Sequence, residues 1–231
     1  MKKSRIVLIV LIIVLTVVLN ACQEKTTNLE KLNEYISTYQ TALYAGGDEL
    51  FNVNVVDINQ EETFLADGIV GEIKNDTTIS LKVKDVNYLE KTYTYKVIGE
   101  LGSVEGTMQK DKLGISFVSS LENIHDIGNI TKAIISYDDT QKEFELVNVL
   151  KDAIDYNKAL EISYNNFLEK IDTMLDNNTF DREIYIRVIE DKHNLSNDYY
   201  WYVSFIKNRE DYFSTLVSLK GEVVTSKIME K

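Results

Sequence analysis

The sequence predicts an α+β fold: an N-terminal helix, an antiparallel β meander or partly closed barrel, and then an α-β-β-β unit. Three observations carry this. Apolar residues recur every three or four positions from Leu29 to Leu43 and every second position from Phe51 onward. Short alternating runs separated by polar turns then occupy the chain up to Val149. The helical period returns between Leu160 and Leu175 and gives way to three more strands.

Taken in order, Lys2, Lys3 and Arg5 precede residues 6–19, which are apolar except for Thr16, and Leu19-Asn20-Ala21-Cys22 closes the stretch. A cationic start, a short apolar run and small residues at its end make a secretory signal. The run is shorter than the ~20 apolar residues that span a bilayer. Residues 23–26 leave a tether of about 13 Å when fully extended. Thr27 and Glu30 have the spacing of a capping box, in which hydroxyl and carboxylate satisfy the first N–H groups of a helix. Leu29, Leu32, Ile36, Tyr39 and Leu43 form that helix's apolar stripe, and Gly46-Gly47 ends it. The expected helix packs across the sheet that follows.

Strands are expected at Phe51/Val53/Val55, at residues 64–74 and at Ile79/Leu81/Val83, with Asn75-Asp76 as the turn before the last of these. Tyr93/Tyr95/Val97, Leu113/Ile115/Phe117, residues 130–137 and residues 143–149 continue the series. Asp152 or Asp155 opens a second helix, whose stripe runs through Leu160, Tyr164, Phe167, Leu168, Ile171, Met174 and Leu175 to the polar stop Asp176-Asn177-Asn178. Strands at residues 184–189, 199–206 and 212–219 follow, with a last hairpin limb at Val223-Val224.

Composition supports a domain held by its core. Cys22 is the single cysteine of 231 residues, so no intrachain disulfide can form, and there is no proline. Without the first 21 residues the chain has 22 Lys and Arg against 37 Asp and Glu, a net charge of −15. Such a surface repels nucleic acid and anionic headgroups, and favours cations or basic partners. All three arginines beyond the leader, and Trp201, lie after residue 148, which places a domain boundary near 149. The organisation read this way is a removed leader (1–21), a lipidated cysteine with tether and first helix (22–47), a β-rich domain (48–148) and an α+β domain (149–231).

Two resemblances sharpen this reading. Leu19-Asn20-Ala21-Cys22 resembles the lipobox of bacterial lipoproteins. That resemblance implies cleavage before Cys22, a diacylglyceryl group with palmitate-type acyl chains on its sulfur, and attachment to the outer face of the cell membrane. Two acyl chains at about 0.8 kcal/mol per CH₂ make such an anchor effectively permanent. Lys158-Ala159-Leu160 in the second helix, Trp201-Tyr202-Val203-Ser204-Phe205, and the ending from Thr215 through Gly221-Glu222-Val223-Val224 resemble a PepSY domain over residues 149–231. This second resemblance implies an extracytoplasmic module that binds and restrains other proteins, with no catalytic residues.

The residues carry little else that points to chemistry. His125 and His193 both sit in polar loops without a nucleophile or zinc-ligand pattern. Gly102-Ser103-Val104-Glu105-Gly106 lacks the spacing of a nucleophile elbow, and residues 176–181 lack the glycine and terminal glutamate of a calcium loop. No catalytic residue, metal ligand or cofactor is expected. On the 199–206 strand, Trp201 and Val203 face one side and Tyr200 and Tyr202 the other. If Trp201 is core, the two tyrosines form an aromatic face suited to peptide or sugar; alternatively the N-terminal half covers that face. The expected function is binding or restraint of a surface protein or peptide. A carrier with an apolar cavity within residues 48–148, or a hydrolase built on two converging carboxylates, are the alternatives.

Overall fold

The computed structural model describes residues 27–63, 67–122, 124–191 and 198–230, the side chain of His125 excepted. The leader, Cys22 and His193 lie outside the described residues. The chain divides into two units, Met1–Asn33 and Glu34–Lys231. In the first, the capping box forms as expected: Thr27 Oγ1 accepts the Glu30 N–H at 3.2 Å, and Glu30 Oε2 accepts the Thr27 N–H at 2.7 Å. The helix it starts, α1 (Asn28–Lys31), lasts one turn and passes into a 3₁₀ turn, Leu32–Tyr35.

The longer expected helix does not form. Residues Ile36–Gly47 are strand β1. Ile36, Thr38, Tyr39 and Thr41 are β-branched or aromatic and favour a pleated conformation. Register shifts between Ile36 and Thr38 and between Gln40 and Ala42 break strict alternation, so the apolar residues fall three to four apart without being helical. β2 (Phe51–Glu61) and β3 (Ile73–Val83) pair antiparallel over their full lengths, and Asn75 and Asp76 lie within β3 rather than at a turn. The expected strand at 64–74 is replaced, where described, by the loop leading into β3. Leu113 and Ile115 are exposed in the turn before β7 (Ser116–Ser120), so only Phe117 of that trio is core.

The remaining strands are β4 (Thr94–Gly99), β5 (Ser103–Thr107), β6 (Gln109–Lys110), β8 (Ile130–Tyr137), β9 (Thr140–Glu145), β10 (Val147–Asn148), β11 (Glu183–Glu190), β12 (Tyr199–Asn208), β13 (Asp211–Ser218) and β14 (Val223–Met229). They form two open sheets and no barrel. One sheet has ten strands in the order β14-β13-β12-β11-β1-β2-β3-β7-β6, with β10 also on β1; the other runs β5-β4-β8-β9. The fold is α+β and predominantly β. No break falls at residue 149, because β1 pairs antiparallel with β2 on one side and parallel with β11 on the other. A strand from the first half therefore sits at the centre of the sheet and joins both halves.

One face of the large sheet carries two covers. Over β2, β3 and β7 lies the four-stranded sheet; Phe51, Val53, Val55, Ile79, Leu81 and Phe117 meet Tyr93, Tyr95, Val97, Ala133, Ile135 and Phe144 in one core. Phe51 is fully buried, with the rings of Tyr88 and Tyr137 5.6 Å away. Each such aromatic pair adds about 0.5–1.5 kcal/mol beyond its buried area. Over β11–β13 lie two helices, α2 (Tyr156–Asn166) and α3 (Leu168–Asp176), which interrupt the expected single helix at Phe167. Asp155 caps α2 by accepting the Lys158 N–H at 2.8 Å. Phe167 stands edge-on to Phe213, which stacks on Phe205 at 4.7 Å. Trp201 is 1% exposed and its indole N–H donates to the Ile154 carbonyl at 3.0 Å.

Candidate functional site

With Trp201, Val203 and Phe205 turned toward the helices, period-two alternation turns Tyr200 and Tyr202 to the opposite face of the sheet. The ladder extends this face across neighbouring strands: Tyr202 lies opposite Arg187 and Leu216, and Tyr200 opposite Ile189 and Ser218. No described helix or strand packs across this face. Tyr200 and Tyr202 are half-buried by their in-sheet neighbours, and Ile189 is 41% exposed. Of the two arrangements open from the sequence, the described N-terminal half enters the same sheet through β1, and none of its described strands lies over the tyrosines.

Beside these tyrosines β1 and β11 part. Their ladder runs only from Ile36/Ile184 to Tyr39/Ile186, and further along β1 the strand β10 takes the vacated edge at Tyr44 and Ala45. Gln40 bridges the separation. It is 1% exposed; its Oε1 accepts the Val188 N–H at 3.1 Å and its Nε2 donates to the Ala42 carbonyl at 3.2 Å. The side chain thus ties a backbone N–H of β11 to a backbone carbonyl of β1 where the two strands separate. A groove of about 400 Å³ opens at this point, with Leu43, Asn54 and Val56 along one side and Tyr185, Arg187 and Ile189 along the other. Through Asn54, Glu190 and Tyr199 it continues into a depression of about 420 Å³ over Gly46, Gly47 and Lys84.

Arg187 is the cation of the groove. Its Nη1 donates to the Tyr185 hydroxyl at 2.9 Å, and its guanidinium lies 5.9 Å from that ring's centroid. Burial, and secondarily the charge of Glu190, push the Tyr199 hydroxyl above its usual pKa, so it remains a neutral hydrogen-bonding group at physiological pH. Aromatic surface, a planar cation, an asparagine amide and an apolar floor suit an extended peptide. The backbone of such a ligand needs donors and acceptors, and its side chains need apolar contact.

The other features singled out in the sequence fall elsewhere. Between the two sheets an aromatic core packs, and at one end Tyr44, Val55, Asp57, Asn129 and Ile130 line a depression of about 250 Å³ of mixed polar and apolar character. Two buried carboxylates do occur, Glu61 and Glu183, but neither lines the groove. Glu183 Oε1 accepts the N–H groups of Asp67 and Gly68 at 2.8 and 3.1 Å, and Glu61 accepts that of Gly71. Together they pin the loop over one end of the open face. Glu183 Oε2 has no hydrogen-bond partner in the described structure. Burial raises the Glu183 pKa against the lowering effect of its two N–H donors, with a smaller push from Glu61. Residues 176–179 end α3, with Asn178 at φ 52° and the Thr179 N–H returning to the Met174 carbonyl at 2.8 Å. No group of three or more potential metal ligands occurs among the described residues. Nor is any described helix long and apolar enough to cross a membrane.

Gln40, Tyr185, Arg187 and Glu183 were not anticipated as site residues. Tyr185 and Arg187 could have been: they alternate on the 184–189 strand just as Tyr200 and Tyr202 do on the next. Gln40 had no such signal, because its role exists only where two strands separate. Comparison with known proteins finds no matching family model, no matching curated protein and no matching solved structure.

Proposed function

We propose that this chain is a lipoprotein anchored through Cys22 to the outer face of a bacterial cell membrane, where it binds or restrains another extracytoplasmic protein by gripping an extended segment of it. The observation that carries the binding role is the open sheet face, on which Tyr200, Tyr202, Tyr185 and Arg187 adjoin a groove flanked by Leu43 and Val56. Large half-buried aromatics and arginine are the residue types that dominate binding energy at protein interfaces. The PepSY-like reading of residues 149–231 accords with this role, since it implies a restraining module, and a non-enzymatic one. The lipobox-like residues 19–22 supply the location. The net negative charge favours a basic partner and disfavours nucleic acid.

The test is chemical cross-linking in cells of the tethered protein, with mass spectrometry of the captured peptides. The expected result is one reproducible protein partner linked to residues of β11, β12 or β13. No reproducible partner, or one linked only to the four-stranded sheet, overturns the proposal.

A further inference from the structure

The face that carries Tyr200 and Tyr202 has a charge pattern opposed to that of the whole chain. By the pairing registers it consists of alternate residues of β11 to β14. Arg187 on β11 and Lys227 on β14 are its cations, and Glu183 is the only carboxylate among these positions. Glu183 is fully buried and accepts the Asp67 and Gly68 N–H groups, so it offers no charge at the surface. Among the described residues neither cation has a carboxylate within ion-pair distance. Arg187 is held instead by Tyr185, whose hydroxyl accepts from Nη1 at 2.9 Å, and Lys227 lies 5.4 Å from the Tyr212 ring centroid. A guanidinium carries several N–H donors, and this one uses a single donor on Tyr185.

We infer that this face selects an acidic extended segment of the partner, with carboxylates on Arg187 and Lys227 and apolar side chains on Tyr202 and Tyr212. The inference rests on the peptide-gripping reading and adds the chemistry of the gripped segment. Spacing supports it. Arg187, Tyr202, Leu216 and Thr225 stand in one row across the strands, and Lys227 is two residues beyond Thr225. Three strand spacings of about 4.8 Å and two residues of about 3.4 Å set the two cations' Cα atoms roughly 16 Å apart. Carboxylates four residues apart on one side of an extended peptide are about 14 Å apart, a difference that flexible Arg and Lys side chains absorb. The net negative charge of the chain acts from farther off, and at physiological ionic strength it is screened beyond about 8 Å. A partner that is basic as a whole but gripped through an acidic stretch satisfies both conditions.

The test is fluorescence anisotropy of labelled short peptides alternating valine with glutamate, glutamine or lysine, titrated with the full-length chain in neutral detergent. The glutamate peptide should bind about tenfold more tightly than the glutamine peptide, as one charge-assisted contact supplies, and the lysine peptide most weakly. Arg187→Gln and Lys227→Gln, folded by circular dichroism, should each weaken the glutamate peptide about tenfold. Lys112→Gln removes the same charge from an exposed turn at the far end of the sheet order and should leave binding unchanged. Equal binding of the glutamate and glutamine peptides, lost in Tyr202→Ser, overturns the acidic preference and leaves the gripping face intact. Equal losses in Lys112→Gln and the two face variants overturn it as an effect of bulk charge. Polyphosphate bound at the face where the glutamate peptide is not overturns it in favour of an anionic polymer. Binding of none of the peptides counts against this inference and the gripping reading together.

Discussion

Replacing Gln40 by leucine keeps the volume of a buried side chain and removes two hydrogen bonds. The Val188 N–H loses its acceptor and the Ala42 carbonyl loses a donor, both half-buried beside the groove. A buried polar group left without a partner costs about 1–3 kcal/mol, and less where water can reach it or where a carbonyl keeps a second lone pair. The sum is about 1–2 kcal/mol, a sizeable part of the ~5–15 kcal/mol that holds a typical domain together. With a urea m-value of about 2 kcal/mol/M, the unfolding midpoint falls by ~0.5–1 M. Because the defect sits where β1 and β11 part, the Val188 amide should also lose hydrogen-exchange protection more than amides at the Phe51 end of β2. Gln40→Glu retains the acceptor for Val188 but loses the donor and buries a charge, so it should be no less damaging at neutral pH. A Gln40→Leu midpoint within ~0.3 M of wild type, with Val188 protection unchanged, would refute the bridging role.

Glu183→Gln tests the buried carboxylate that holds the loop at Asp67 and Gly68. Its raised folded pKa means that the protonated form is favoured by folding, a contribution fully present below the ordinary value of 4.5 and lost as pH rises through the folded pKa. The glutamine variant should therefore gain on wild type above that pKa and converge with it in acid; a variant less stable than wild type at pH 7 contradicts this. Gly46→Ala drives a Cβ into the Glu145 carbonyl and the Leu146 side chain, and should cost ~1–3 kcal/mol in denaturant unfolding. Wild-type stability would show that the contact of β1 with the end of β9 yields freely. Cys22→Ala should leave the protein unlipidated, as precursor or in the medium; lipid labelling of that variant at the wild-type level would remove the anchor from the account.

What the sequence disclosed follows from local physics. Alternation at Ile79/Leu81/Val83 and over residues 199–206, the Thr27–Glu30 capping box, the Asp155 cap and the stop at Asp176 are each fixed by a few neighbouring residues, and each appears where expected. That Trp201 and the pair Tyr200 and Tyr202 face opposite sides needed only the two-residue period; which side is core is set by the helices packed on Trp201. The failures are non-local. The segment of β1 reads as a helix because two bulges disguise its period, and its strand state is secured by partners some 15 residues away on β2 and some 147 away on β11. Without β1 as the shared strand, the sequence divides at residue 149, and the groove made where β1 and β11 separate has no local signal. Gln40 illustrates the limit most plainly, since nothing in its neighbours marks it as the bridge between strands.

The central claim, that the open aromatic face grips a partner, is tested most directly by measuring partner capture in cells for Tyr200→Ser/Tyr202→Ser against a matched change on the helix-bearing side of the sheet, Tyr164→Ser in α2. Both tyrosines are half-buried on a face that no described helix or strand covers, so the double variant should keep its fold by circular dichroism and lose most of the cross-linked partner, while Tyr164→Ser retains it. Full capture by a folded Tyr200→Ser/Tyr202→Ser chain would contradict the account.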